Sequence, residues 1–217
     1  MRRSSVVRHS LVVRLLHWLV AGSGVLLLFS GIGEMPVYKR YNLVKVPGFG
    51  WAADYELNLQ LHYVAAFVFM AAAFFHLVYH LRREEFAALP RRGDLRESAH
   101  ILKAILLGKP EPPHGKFLAE QRLAYAAFGA TSLVLVLTGL LKTYKNLGAI
   151  VVNPEMLQGV TLAHTAATML FALLVVLHLG AFLPKANRPL LPSMFTGRVD
   201  GQYARRRHPH WLEAPKS

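Results

Sequence analysis

The chain contains no cysteine among its 217 residues. That excludes disulfides, thiolate-held iron–sulfur clusters and covalently attached c-type haem, and leaves open a haem held by histidine alone. Acidic residues are scarce: 12 Asp and Glu stand against 25 Lys and Arg, a formal charge of +13. Charge of either sign is missing altogether from four long stretches. They run from Arg14 to Glu34, from Glu56 to Arg82, from Arg122 to Lys142 and from Glu155 to Lys185, the bounding residues being the nearest charges. There is also no phosphate-binding glycine loop, no Ser/His/Asp arrangement, no repeat and no low-complexity tract, so neither a nucleotide site nor a nucleophilic triad is indicated.

What is present is apolar: 53% of residues are hydrophobic and the mean hydropathy is +0.31. A bilayer core of about 30 Å takes roughly 20 apolar residues of helix. All four uncharged stretches meet that length, which predicts an all-α integral membrane four-helix bundle over residues 13–183, with helices near 13–33, 57–81, 122–142 and 157–183. An N-terminal arm, 1–12, and a basic tail, 184–217, flank it. The first stretch follows a basic start, MRRSSVVRHS, but is too long, and GIGEMP too poor a cleavage site, for a signal peptide, so it reads as a retained helix. Of the 25 basic residues, 20 lie in the arm as far as Arg14, the segment 82–122 or the tail from 185. The positive-inside rule then makes these cytoplasmic, in the inner membrane of a bacterium. Beside membrane spans such cations face anionic lipid, which accounts for the net charge without nucleic acid. In the middle segment, DLRESAHILKAILLG at 94–108 predicts a short interfacial helix. The loop EMPVYKRYNLVKVPGFGWAADYE offers Tyr38, Tyr41, Trp51 and Tyr55 as interface anchors or as a docking surface for a partner.

Histidine is the chemistry-bearing residue inside the spans. His164 and His178 share one of them, and their separation of roughly four helical turns is a rise of ~21 Å along one helix face. His62 and His76 repeat that spacing in the second span. His17, just after Arg14, lies near the cytoplasmic side of the first. In the predicted orientation His62 and His164 form an outer level, and His17, His76 and His178 an inner one. Imidazole pairs at two depths suit two six-coordinate b-type haems, which move electrons rather than bind oxygen. A bare metal site explains less, since no carboxylate lies within the spans. A proton relay or transporter lined by histidine, without haem, is the competing reading. A bare anchor with structural histidines is a third. Spacing allows His178 to pair with either His17 or His76.

Motifs in chain order carry a resemblance. RLLHW at 14–18, LQLHYVAAF at 59–67, LAHTAATMLFALLVVLHLGAF at 162–182 and the tail GRVDGQYARRRHPHW at 197–211 together resemble the cytochrome b, or gamma, subunit of membrane-bound formate dehydrogenases, over nearly the whole chain. The resemblance implies two haem b groups, the outer ligated by His62 and His164 and the inner by His17 and His178, with His76 a neighbour of the inner haem or of quinone. It implies electrons arriving from a periplasmic iron–sulfur subunit and a catalytic molybdenum or tungsten formate dehydrogenase subunit, and passing to menaquinone or ubiquinone near the inner haem. Proton uptake from the cytoplasm accompanies that step, and the complex can be a higher oligomer. The quinone stretch corresponds to FLAEQRLAY at 117–125: Gln121 matches a family position, and Leu118 stands where the family can have Asn. His100 and His114 are candidates for proton delivery, although as loop histidines both read more simply as solvated. Related cytochrome b subunits of quinone-linked hydrogenases and of thiosulfate or polysulfide reductases share the same architecture.

Overall fold

The computed structural model describes residues 4–109 and 112–213, so the start of the arm and the end of the tail lie outside the description. The described residues fall into two compact units: residues 11–83, and residues 84–213 together with the arm up to Ser10. Among the described residues four helices are long and apolar enough to cross a membrane, as the uncharged stretches predict: Leu11–Gly33, Tyr55–Arg82, Ala119–Asn146 and Pro154–Gly180.

In the unit of residues 11–83, α1 (Leu11–Gly33) lies antiparallel against α3 (Tyr55–Arg82), with a one-turn helix, α2 (Val37–Arg40), and two 3-10 turns in the loop between them. Asp54 starts α3 as its N-cap, its Oδ1 accepting from the N–H of Leu57 at 3.0 Å, which satisfies one of the donors a helix start leaves unpaired. Fully buried Asn58 donates through Nδ2 to the carbonyls of Ala52 (2.9 Å) and Asp54 (2.7 Å), tying the loop to the helix. The aromatic residues of the loop gather on Phe29 of α1. The tilted Tyr38 ring packs at 5.1 Å and donates its hydroxyl to the Phe29 carbonyl at 2.8 Å, and Trp51 packs at 5.5 Å. Tyr38 is thus buried in the unit's own core, while Tyr41 and Tyr55 are exposed.

In the second unit, α4 (Asp94–Leu106) is the short helix expected between the second and third spans. It meets the start of α5 (Ala119–Asn146), which lies antiparallel to α6 (Pro154–Gly180). Ile101 of α4 is fully buried against Leu118 and Ala119, whereas Leu95 and Leu102 remain exposed. Asn153 caps α6, accepting from the N–H of Met156 at 2.7 Å, and Pro154 occupies the first helical position, where its missing donor costs nothing.

Arm and tail, read from the sequence as extensions, fold onto each other. β1 (Ser5–Val7) pairs antiparallel with β2 (Arg198–Asp200), Val6 opposite Val199. Around this ribbon the tail forms three short helices, α7 (Ser193–Thr196), α8 (Gly201–Arg207) and α9 (Pro209–Glu213). Leu190, Val199 and Ala204 make a small core covered by Val6, Phe182, Tyr203 and Trp211.

Candidate functional site

Each antiparallel pair of long helices presents one histidine in the same setting. In the first unit, His62 of α3 faces Ser30 and Gly31 near the end of α1. The Ser30 hydroxyl lies 3.0 Å from His62 Nδ1, and a methyl placed on Gly31 would just touch the ring at 3.4 Å. Glu34 lies 3.9 Å from the same nitrogen. In the second unit, His164 of α6 faces Thr138 and Gly139 of α5. The Thr138 hydroxyl lies 2.8 Å from His164 Nδ1, and a methyl on Gly139 would touch the ring at 3.5 Å. A hydroxyl followed by glycine, set against the Nδ1 edge of an imidazole, therefore occurs twice. It engages one ring nitrogen, Nδ1, in both. A metal-ligating histidine takes this arrangement when an outer partner fixes its ring. Imidazoles fixed in this way fit a haem iron, and His62 and His164 are residues that would hold one.

The remaining histidines of the spans have other surroundings. His178, further along α6 from His164, stands edge-on to Phe128 at 6.0 Å and to Phe182 at 6.3 Å, an aromatic flank suited to a flat ligand. His17 packs edge-on against Trp18 at 5.3 Å. His76 lies 4.5 Å from His80, one turn further along α3; the sequence reading did not single out His80. Among the described residues no group of three or more His, Cys, Asp or Glu side chains converges to hold a bare metal ion.

The stretch expected to face quinone is built as a corner. Gln121 accepts at Oε1 from the N–H of Leu118 at 3.1 Å, so its carbonyl caps the start of α5. Leu118 is 1% exposed in the packing between α4 and α5. Arg122, legible in the sequence only as a charge marking a helix end, is a buried hub. It donates through Nε and Nη2 to both carboxylate oxygens of Asp94 (2.8 and 2.6 Å), through Nη2 to Glu97 (3.3 Å) and through Nη1 to the Phe117 carbonyl (2.7 Å). Hydrogen bonds from Arg122 hold the Asp94 carboxyl below its ordinary range, against the opposing effect of burial.

Beside that corner the arm and tail close a second cluster. Arg8 is 4% exposed, donates through Nη2 to the Lys116 carbonyl at 2.5 Å, and lies over the rings of Phe117 and Trp211, 5.4 Å from each centroid. Burial pushes its pKa down to about 10. His208 is fully buried and donates from Nδ1 to the Gly115 carbonyl at 2.7 Å. Burial, aided by Arg8, Arg207 and His114, pushes its pKa down to about 4, despite the raising effect of the bond to Gly115. His114 is 2% exposed, its ring 6.4 Å from that of His208. It is not the solvated loop histidine of the sequence reading, because its backbone N–H is held by the Arg207 carbonyl at 3.1 Å and the tail covers it. His100 is exposed on α4.

Ser30, Thr138, Arg8 and Arg122 escaped the sequence reading. The first two leave a faint trace, the dipeptides SG and TG in otherwise apolar helices.

Compared with known proteins, residues 8–197 match the family model described as prokaryotic cytochrome b561. No curated protein matches the chain.

Proposed function

Because the chain belongs to the prokaryotic cytochrome b561 family, and is therefore a multi-pass membrane haem b protein of electron transfer, we propose that it is the di-haem cytochrome b subunit of a respiratory formate dehydrogenase. Its task in that reading is to carry electrons from a periplasmic iron–sulfur subunit, itself fed by a molybdenum or tungsten formate dehydrogenase subunit, across the membrane to menaquinone or ubiquinone. Haem b, when bound, would supply one-electron transfer, with histidine imidazoles of this chain holding its iron.

The observation that carries the reading is the doubled setting of His62 and His164. Each has a hydroxyl at Nδ1, and each is followed on its helix, at the same spacing, by a second histidine, His76 or His178. His62 and His164 are the proposed ligands of the outer haem, and His17 and His178 those of the inner, with His76 beside it. Both termini and the segment between the second and third spans are assigned to the cytoplasm, a reading supported by the 20 of 25 basic residues they carry. At the cytoplasmic corner Gln121 has its oxygen committed to the helix cap, and its amide NH₂ is the group proposed to donate to a quinone carbonyl. Leu118 serves that corner by packing. The tail motif favours formate over hydrogen or thiosulfate as the ultimate donor.

The test uses the complex as purified from its native membrane. Formate is expected to reduce the b-type absorption bands and, with a quinone analogue present, to drive its reduction; His164→Ala is expected to abolish that reduction. Bands that respond to hydrogen or thiosulfate and stay oxidised with formate contradict the assignment of donor.

A further inference from the structure

The hydrogen atoms of the two matched settings can be counted. Ser30 has one hydroxyl proton. Its Oγ lies 2.7 Å from the Leu26 carbonyl and 3.3 Å from that of Leu27, one turn back on the same helix. Thr138 Oγ1 lies 2.7 Å from the Val134 carbonyl and 3.2 Å from that of Leu135. A carbonyl oxygen only accepts, so each close O···O contact must contain the hydroxyl proton. What the hydroxyl then offers the histidine is a lone pair. Nδ1 of His62 and of His164 must carry a proton and donate it, and in the neutral ring Nε2 then carries the lone pair. The opposite tautomer would place two lone pairs against each other at 3.0 and 2.8 Å, a contact that repels rather than bonds.

We propose that Ser30 and Thr138 are positioning residues that fix the Nδ1–H tautomer and the ring orientation of His62 and His164, and that through those hydrogen bonds they tune the electron donation of Nε2 to a haem iron. The second half of the statement rests on the haem-ligand reading above; the first half stands on the hydrogen count alone. The device is repeated in two helix pairs whose sequences share little else, which marks it as a requirement of the histidine rather than of helix packing. Glu34 also lies 3.9 Å from His62 Nδ1, a carboxylate whose charge favours a proton on that nitrogen. A hydrogen bond accepted from Nδ1–H gives the ring imidazolate character, which stabilises the oxidised iron and lowers its potential.

The experiment compares the parent complex with Ser30→Ala and Thr138→Ala, and with the hydroxyl-retaining Ser30→Thr and Thr138→Ser. In each alanine variant one of the two haems is expected to show a raised midpoint potential, a shifted low-spin EPR signal and reduced occupancy, while the other haem is unmoved. The hydroxyl-retaining variants are expected to restore all three. Potentials, spectra and occupancies that match the parent in both alanine variants overturn the tuning role. A second readout does not need the haem reading. In ¹⁵N-histidine NMR of the reduced complex, His62 and His164 are expected to show a protonated Nδ1, with the Nδ1 resonance displaced in the alanine variants. A protonated Nε2 at either residue in the parent overturns the tautomer assignment. A parent with no haem and a protonated Nδ1 leaves the positioning role standing and defeats the functional reading instead.

Discussion

Two residues show how tightly local chemistry is set. Gly33 ends α1 against Asn58, and a methyl there would lie 2.4 Å from the Asn58 side chain. Asn58 is fully buried and held by two hydrogen bonds, so it has nowhere to move. Gly33→Ala is therefore expected to destabilise the unit by about 1–3 kcal/mol, as overpacking does, seen as a lowered Tm. Gly31→Ala, which only brings a methyl to contact distance, is expected to cost far less. His208 sets a pH dependence. Its pKa is about 4 in the folded chain and about 6.5 when unfolded. Below pH 6.5 the unfolded chain therefore binds the extra proton, and stability falls as pH drops from about 6.5 toward 4. His208→Gln keeps a donor for the Gly115 carbonyl and cannot charge. It is expected to flatten the slope of Tm against pH across that window, and an unchanged slope contradicts the assignment.

At the scale of elements, the junction of α4 with α5 depends on Asp94 and Arg122, which meet as a two-pronged buried pair. Asp94→Asn leaves the guanidinium buried beside a neutral amide. Loss of one partner of a buried pair costs about 3–5 kcal/mol; with Glu97 still 3.3 Å from Arg122, the low end is expected, measured as a lower Tm. Because the Asp94 carboxyl titrates below its ordinary range, the contribution of the pair persists above about pH 4 and is lost only in stronger acid, below the window in which His208 acts. The helices themselves were legible. Uncharged runs of membrane length fix their number; the starts capped by Asp54 and Asn153 lie a few residues earlier than expected, α5 runs on to Asn146 and α6 stops at Gly180. The ribbon of β1 and β2 was not legible. Each strand is very short and its partner comes from the other end of the chain, so no local period announces it. Arg8 and Arg122 misled for a related reason: beside a membrane span a lone arginine reads as a lipid-facing charge, and only the fold shows which ones are buried.

For the molecule as a whole, the equal spacing of the histidine pairs in two of the spans was enough to place histidines at two depths, since it follows from helix geometry alone. The hydroxyls that fix two of those histidines were not readable, because serine and threonine are ordinary in membrane helices, where they bond back to their own carbonyls, and only tertiary contact distinguishes Ser30 and Thr138. The absence of cysteine and the scarcity of acidic side chains in the spans remove thiolate ligation and all but remove carboxylate, and leave imidazole as the nitrogen donor the membrane interior offers. The account therefore stands on histidine-only ligation of haem. Its most direct test is the dithionite-reduced minus oxidised absorption spectrum of the purified protein, with haem per chain determined as the pyridine haemochrome. Two b-type haems per chain, falling to one or none in His164→Ala, is the predicted result. A folded, membrane-extracted chain with no haem contradicts the account and leaves a histidine-lined proton path as the reading to pursue.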